Sequence, residues 1–396
     1  ASSNMWEDLI VSETRDGFGF VLKDNVNDLG YQAVTTPGSL KAYYEALENF
    51  GTWDWADVVA PAIKQAKQGF IVRPHVAFWW NYGANFGRVG VEERLRYSKT
   101  GAESYFDSSG NLKKIGDKVK IPGMAETLQK IAKYGPEVFY KGEIAEKISE
   151  DMKNNGGLLT YEDLSTYSTK WTDPLLGSYR DFSISTNHPP GGGIMLLEML
   201  NILENFNLAK LGHNSTEYIR IVAEAMKQAT VDKESFVGDP DFVNVPIKRL
   251  LSKKYAMQCS KHILSGTKIN IDRIGQFESK DTTHVSVVDK HGNCVTMTHS
   301  LGMPSGAITD GLGFMYNGCM AVFDPRPGRA GSIEPGKSRF SSLAPTIVTK
   351  DSVPYMVLGA PGGTQIAMGI LQTILNVIEF EMNMLEAVSA PRFSST

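Results

Sequence analysis

Asp281-Thr282-Thr283-His284-Val285-Ser286-Val287-Val288, Asp289-Lys290-His291-Gly292-Asn293 and Cys294-Val295-Thr296-Met297-Thr298-His299-Ser300 follow one another without a break. Two alternating, β-branched runs, His284–Val288 and Cys294–Ser300, flank a polar loop with glycine where a positive φ is wanted. This is the pattern of an antiparallel hairpin. If the loop is residues 289–293, Val288 faces Cys294, and each step outward keeps the pairing. Thr282 then lies opposite Ser300. Directly opposed Cβ atoms sit about 5 Å apart, and a slip of one residue would remove the pairing.

A threonine hydroxyl is a weak nucleophile without a base beside it. The nearest base available is the α-amino group of the same residue, which titrates near neutrality. That use of Thr282 requires the bond after Asp281 to be cut. Ser300 would support Thr282 as a second hydroxyl. Read locally, such a pair is more often an ordinary cross-strand hydroxyl contact.

Outward from the hairpin the texture differs on the two sides. Residues 36–280 read as mostly helical: Pro37 through Leu47, Trp55–Gln68, Gly123–Tyr134, Gly142–Asn154 and Ser215–Gln228 carry helical periodicity. Tyr179–Thr186 reads as a strand, followed by a proline- and glycine-rich loop and the apolar helix Ile194–Phe206. After Lys280 strands dominate. Pro345–Thr349 and Tyr355–Leu358 flank a turn at Lys350–Pro354, and a helix, Gln365–Phe380, follows Gly362-Gly363. The chain divides in meaning at residue 281, into 1–281 and 282–396.

The 396 residues, with a net charge of −4, give no reason to expect a nucleic-acid partner. No apolar run approaches the ~18 residues of a membrane span. Cys259, Cys294 and Cys319 form no C-x-x-C, so neither a disulfide framework nor a cysteine zinc site is expected. A reducing, cytoplasmic setting is favoured. A secreted or periplasmic one follows if a signal peptide precedes Ala1. His284, His291 and His299 do not converge in the hairpin register, so no metal is expected.

Three further constellations bear on chemistry. Tyr355–Leu358 runs into Gly359-Ala360-Pro361-Gly362-Gly363 and a helix, which leaves backbone N–H groups unpaired. These suit an oxyanion, or simply make a tight turn. Ser341-Ser342 could bind a carboxylate or act as turn and cap residues. Pro189-Pro190-Gly191-Gly192-Gly193 lacks the G-x-G-x-x-G pattern of a dinucleotide loop and reads as a rigid packing turn.

Thr282-Thr283-His284-x-Ser286-Val287-Val288-Asp289 with Gly292-Asn293 resembles the start of the small subunit of γ-glutamyltransferases. Thr36-Pro37-Gly38, Ala60-Pro61-Ala62-Ile63, Gly135-Pro136-Glu137, Asn155-Gly156-Gly157-Leu158, Gly238-Asp239-Pro240-Asp241-Phe242-Val243, Pro361-Gly362-Gly363 and Ala390-Pro391-Arg392-Phe393 match in the same order. The resemblance runs nearly end to end. It implies an α+β fold, the four-layer αββα sandwich of N-terminal-nucleophile hydrolases with a helix-rich N-terminal part. It also implies a precursor that cuts itself between Asp281 and Thr282 into large and small subunits, with no cofactor and no metal. A homo-oligomer is compatible with it. By position, Thr282 is the nucleophile, Ser300 stands for the family's second threonine, Gly362 and Gly363 form the oxyanion site, and Ser341 and Ser342 bind the substrate carboxylate.

Three positions depart from the pattern. Trp6 stands where the family has the arginine that grips the substrate carboxylate. Val322 stands near its aspartate for the substrate amino group, and Gly302 replaces an asparagine. Loss of both charges removes the bonds that select an amino-acid head group. The sequence therefore points to an enzyme cleaving a γ-glutamyl or related small acyl amide and passing the acyl group to water or an amine. Classical glutathione turnover is the alternative, and an unprocessed, non-catalytic binding relative is the alternative of another class. Family members carry further strand-rich sequence before the residues matching Ala1 and after Phe393.

Overall fold

The computed structural model describes residues 1–14, 19–81, 88–271 and 282–395. Its strands, in chain order, are β1 (Ile10–Glu13), β2 (Phe20–Leu22), β3 (Phe70–Ile71), β4 (Lys118–Val119), β5 (Leu175–Tyr179), β6 (Phe182–Thr186), β7 (Thr282–Val288), β8 (Cys294–Ser300), β9 (Thr346–Lys350) and β10 (Val353–Leu358). A four-stranded antiparallel sheet has the order β10-β9-β6-β5. It thus draws two strands from either side of residue 281. Dividing the chain there does not divide the sheet.

Alternation places Phe182, Ile184, Val348, Met356 and Leu358 on one face of this sheet, in the main core. Two apolar helices, Gly193–Leu203 and Ile366–Phe380, cover that face. Every residue of Gly193–Leu203 is buried, as expected for a helix apolar on nearly every side, with Glu198 and Asn201 its polar exceptions. The helices Thr216–Phe236 and Lys253–Leu264 pack behind it. The β7–β8 hairpin packs on the other side, against β9 and β10. Its outer face carries Val285, Val287, Val295 and Met297, all exposed. Among the described residues the stack is therefore helices, sheet, hairpin. Smaller cores form around Ile144, Ile148 and Tyr316, and around Val72, Val119 and Ile308.

The hairpin register is the one expected from the sequence, pair for pair from Thr282↔Ser300 to Val288↔Cys294. The loop is held by Asp289, whose Oδ1 accepts from His291 N (2.8 Å) and Asn293 N (2.9 Å), with Gly292 at φ +84°. Elsewhere the structure corrects the sequence. The turn between β9 and β10 is only Asp351-Ser352, both at positive φ, the conformation of a two-residue primed turn. The stretch read as one strand from Tyr179 is the end of β5, a turn with Arg180 at φ +52°, and β6. The helix expected to end at Gln228 continues to Phe236. The apolar helix expected over Ile194–Phe206 spans Gly193–Leu203.

Candidate active site

β7 begins at Thr282, and its pairing brings Thr282 Oγ1 within 3.1 Å of Ser300 Oγ. Ser300 Oγ also accepts from Gly302 N at 2.9 Å. Gly302 has φ +69°, and a Cβ there would meet Cys319 Sγ at 3.0 Å. Both conformation and space therefore favour glycine at the point where the chain leaves β8. Asp281 lies outside the described residues.

Two residues along the same face, His284 lies between two hydroxyls. Its Nδ1 is 2.8 Å from Thr298 Oγ1 and its Nε2 2.9 Å from Ser286 Oγ. Burial lowers the imidazole pKa from its ordinary value, which favours the neutral ring. The ring covers Gly359: a Cβ on that residue would sit 2.3 Å from His284 Cε1 and Nδ1. Thr296 Oγ1 donates to Leu358 O, one residue earlier (3.2 Å). The hairpin thus braces the start of the 359–363 loop. Gly362 (φ +130°) and Gly363 (φ +53°) then turn the chain into Ile366–Phe380. That loop leaves backbone donors at a helix start, the feature an oxyanion site needs.

Ser341 and Ser342 are held from a segment about 150 residues away. Ser341 N donates to Pro190 O (2.8 Å), Gly192 N to Leu343 O (2.9 Å) and Asn187 Nδ2 to Leu343 O (2.8 Å). A Cβ at Gly192 would lie 2.4 Å from Ser342 O. The 189–193 segment is a packing turn, as read from its sequence, and the platform for the serine pair. Ser342 is 4% exposed and its Oγ has no partner. An unsatisfied buried hydroxyl is costly unless a ligand completes it.

Trp6 is 4% exposed and packs with Phe20, Leu22, Met320, Phe323 and Ile333. Val322 lines a cavity of about 610 Å³ together with Gly19, Phe20, Lys233, Arg326 and Phe340. His299, on the opposite face of β8 from Ser300, bonds Tyr43 through Nδ1 (2.5 Å). Among the described residues no three His, Cys, Asp or Glu side chains cluster to hold a metal ion. No described helix is long and apolar enough to cross a membrane.

A threonine at the head of a hairpin strand, stacked on a sheet that two apolar helices back, is the arrangement expected of the N-terminal-nucleophile class of amidohydrolases, to which the comparisons assign the chain. Within that class the chain belongs to the Gamma-glutamyltranspeptidase family, which matches it over residues 13–396. It is a self-processing, threonine-nucleophile enzyme of the amidohydrolase and acyltransferase type. It is 37% identical to the glutathione hydrolase proenzyme of Escherichia coli, over 96% of this chain and 68% of the relative. It is also 37% identical to the acylase ACY 1 proenzyme of a Pseudomonas species, over 99% and 69%. Among solved structures it resembles a cephalosporin acylase from Bacillus halodurans, with a TM-score of 0.79, 27% identity, and coverage of 93% of this chain and 67% of that one. The γ-glutamyltranspeptidase of Helicobacter pylori matches with a TM-score of 0.58 and 32% identity, over 66% of this chain and 71% of that one.

Proposed function

We propose that Thr282, freed by scission after Asp281, attacks the carbonyl carbon of a small acyl amide that carries a carboxylate. The α-amino group of Thr282 takes the hydroxyl proton and passes it to the leaving amine. The C–N bond breaks and an acyl ester forms on Thr282. Water or an amine then displaces the acyl group, and the hydroxyl regains its proton. Ser300 orients the nucleophile, Gly362 and Gly363 supply oxyanion donors, and Ser341 and Ser342 receive the carboxylate, with Gly302 bracing Ser300. The observation that carries this reading is the 3.1 Å contact of Thr282 with Ser300 at the start of β7.

On this reading 1–281 and 282–396 are the large and small subunits, and the fold is the four-layer αββα sandwich. Support for the latter comes from the three stacked layers and the apolar outer face of the hairpin. A substrate head group without an ammonium is favoured. Trp6 is committed to an apolar cluster and Val322 offers no charge. This agrees with the acylase relatives. Glutathione hydrolysis is the second reading, favoured by the E. coli relative. Free glutamate competes with the substrate only under that second reading.

Intact mass spectrometry under denaturing conditions tests the first step. Two species divided between Asp281 and Thr282 are expected, and one uncut chain for Thr282→Ala. Amide cleavage surviving in Thr282→Ala would refute the assignment.

A further inference from the structure

Gly238-Asp239-Pro240-Asp241-Phe242-Val243 has no part in the chemistry described so far, yet it carries one of the most enclosed carboxylates in the molecule. Asp239 is fully buried. Its Oδ2 accepts from Ser338 N at 2.8 Å. Its Oδ1 accepts from Asp241 N and from Lys170 Nζ, both at 3.2 Å. These bonds hold its pKa below the ordinary carboxylate value, against the opposing effect of burial. The neighbouring Gly238 leaves no room for a side chain, because a Cβ would meet Ala330 O at 2.4 Å. Segment 238–239 therefore grips the 330–338 loop at two points. Ser338 lies three residues before Ser341, and the next anchor along the chain is Ser341 N on Pro190 O.

We propose that Asp239 is a positioning residue for the substrate carboxylate. It fixes the backbone of Ser338, so that the Ser338–Ser342 segment is stretched between two anchors and the Ser342 hydroxyl is held ready for its ligand. The inference rests on the reading of Ser341 and Ser342 as the carboxylate subsite. A bond to an ionised acceptor is stronger than one between neutral groups. An amide at Asp239 can satisfy Asp241 N or Ser338 N with its oxygen, and presents donors to the other.

Steady-state kinetics of the processed enzyme on glutaryl p-nitroanilide, which carries the carboxylate without an ammonium, and on its terminal carboxamide, which lacks the carboxylate, separates the possibilities. Asp239→Asn is expected to raise KM for the carboxylate substrate about tenfold, with kcat nearly unchanged and no shift for the carboxamide. Ser342→Ala should do the same, and the double variant should be no worse than Ser342→Ala alone, because both act on one subsite. Lys170→Met alters only a half-exposed side chain and serves if Asp239→Asn does not fold. It should shift KM in the same direction, about two- to threefold, for the carboxylate substrate only. Equal effects on both substrates, a fall in kcat alone, or additivity with Ser342→Ala would overturn the inference. So would no effect of Lys170→Met. If Ser342→Ala leaves KM unchanged, the subsite reading fails and the inference falls with it. If Ser342→Ala raises KM and Asp239→Asn does not, the subsite stands and only the positioning role is lost.

Discussion

Adding one methyl group, Gly359→Ala, probes the join between the strand of the proposed nucleophile and the proposed oxyanion loop. The new Cβ would sit 2.3 Å from the His284 ring, well inside contact distance. The ring has little freedom to step aside, because hydroxyls at 2.8 and 2.9 Å hold both its nitrogens. The strain must be taken up by the ring, with loss of those bonds, or by the loop. Overpacking of this kind costs about 1–3 kcal/mol. If the loop gives way, Gly362 and Gly363 move with it, and loss of one oxyanion donor lowers kcat by roughly 10²–10³. Thermal unfolding and kcat on a chromogenic amide measure the two effects together. The expected result is a lower midpoint and a kcat loss of at least tenfold, with His284→Ala in the same chain recovering part of both. Wild-type kcat and midpoint in Gly359→Ala would show that the imidazole does not brace the loop, and the reasoning would fail.

Two other perturbations follow from the site and the core. Ser300→Ala removes the hydroxyl beside Thr282 and the acceptor of Gly302 N. A kcat loss of about 10- to 100-fold is expected, with Ser300→Thr close to the parent, as read by single-turnover kinetics. Glu198, fully buried in the helix Gly193–Leu203, has its pKa raised well above the ordinary value by burial and by Asp232 beside it. Its stabilising contribution is fully present below the unfolded value, near 4.3, and is lost as pH rises towards the folded one, at about 1.4 kcal/mol for each step of one in pH. Glu198→Gln should therefore match the parent near pH 4 and exceed it increasingly towards neutral pH in denaturant titrations. A gap that narrows with rising pH would contradict this account.

The hairpin was legible because its period of two and its Asp289–Asn293 loop leave one register that keeps Thr282 opposite Ser300. The β5–β6 hairpin was not. Its turn places Arg180 rather than glycine at positive φ, and the residue is held there by its own bonds to Glu379, Glu204 O and Phe206 O, partners distant in sequence. The same reason hid the supports of the site. His284 is an ordinary strand residue until Gly359 arrives against it from another hairpin. The unsatisfied Ser342 hydroxyl depends on a turn at 189–193, which local sequence could mark as rigid but could not aim. Propensity and periodicity describe neighbours along the chain, whereas these contacts join segments up to 199 residues apart.

The shared sheet bears on what a cut chain can do once unfolded. β6 belongs to 1–281 and β9 to 282–396, and their four residue pairs lie at the centre of the sheet, over the main core. A molecule cut at 281 keeps these bonds and has no reason to come apart. Once denatured, its two pieces must find each other again. Refolding becomes second order in protein, and recovery of the cut form should depend on dilution while that of the intact precursor does not. Self-cleavage thereby makes assembly a one-time event, performed while the sequence is still a single string.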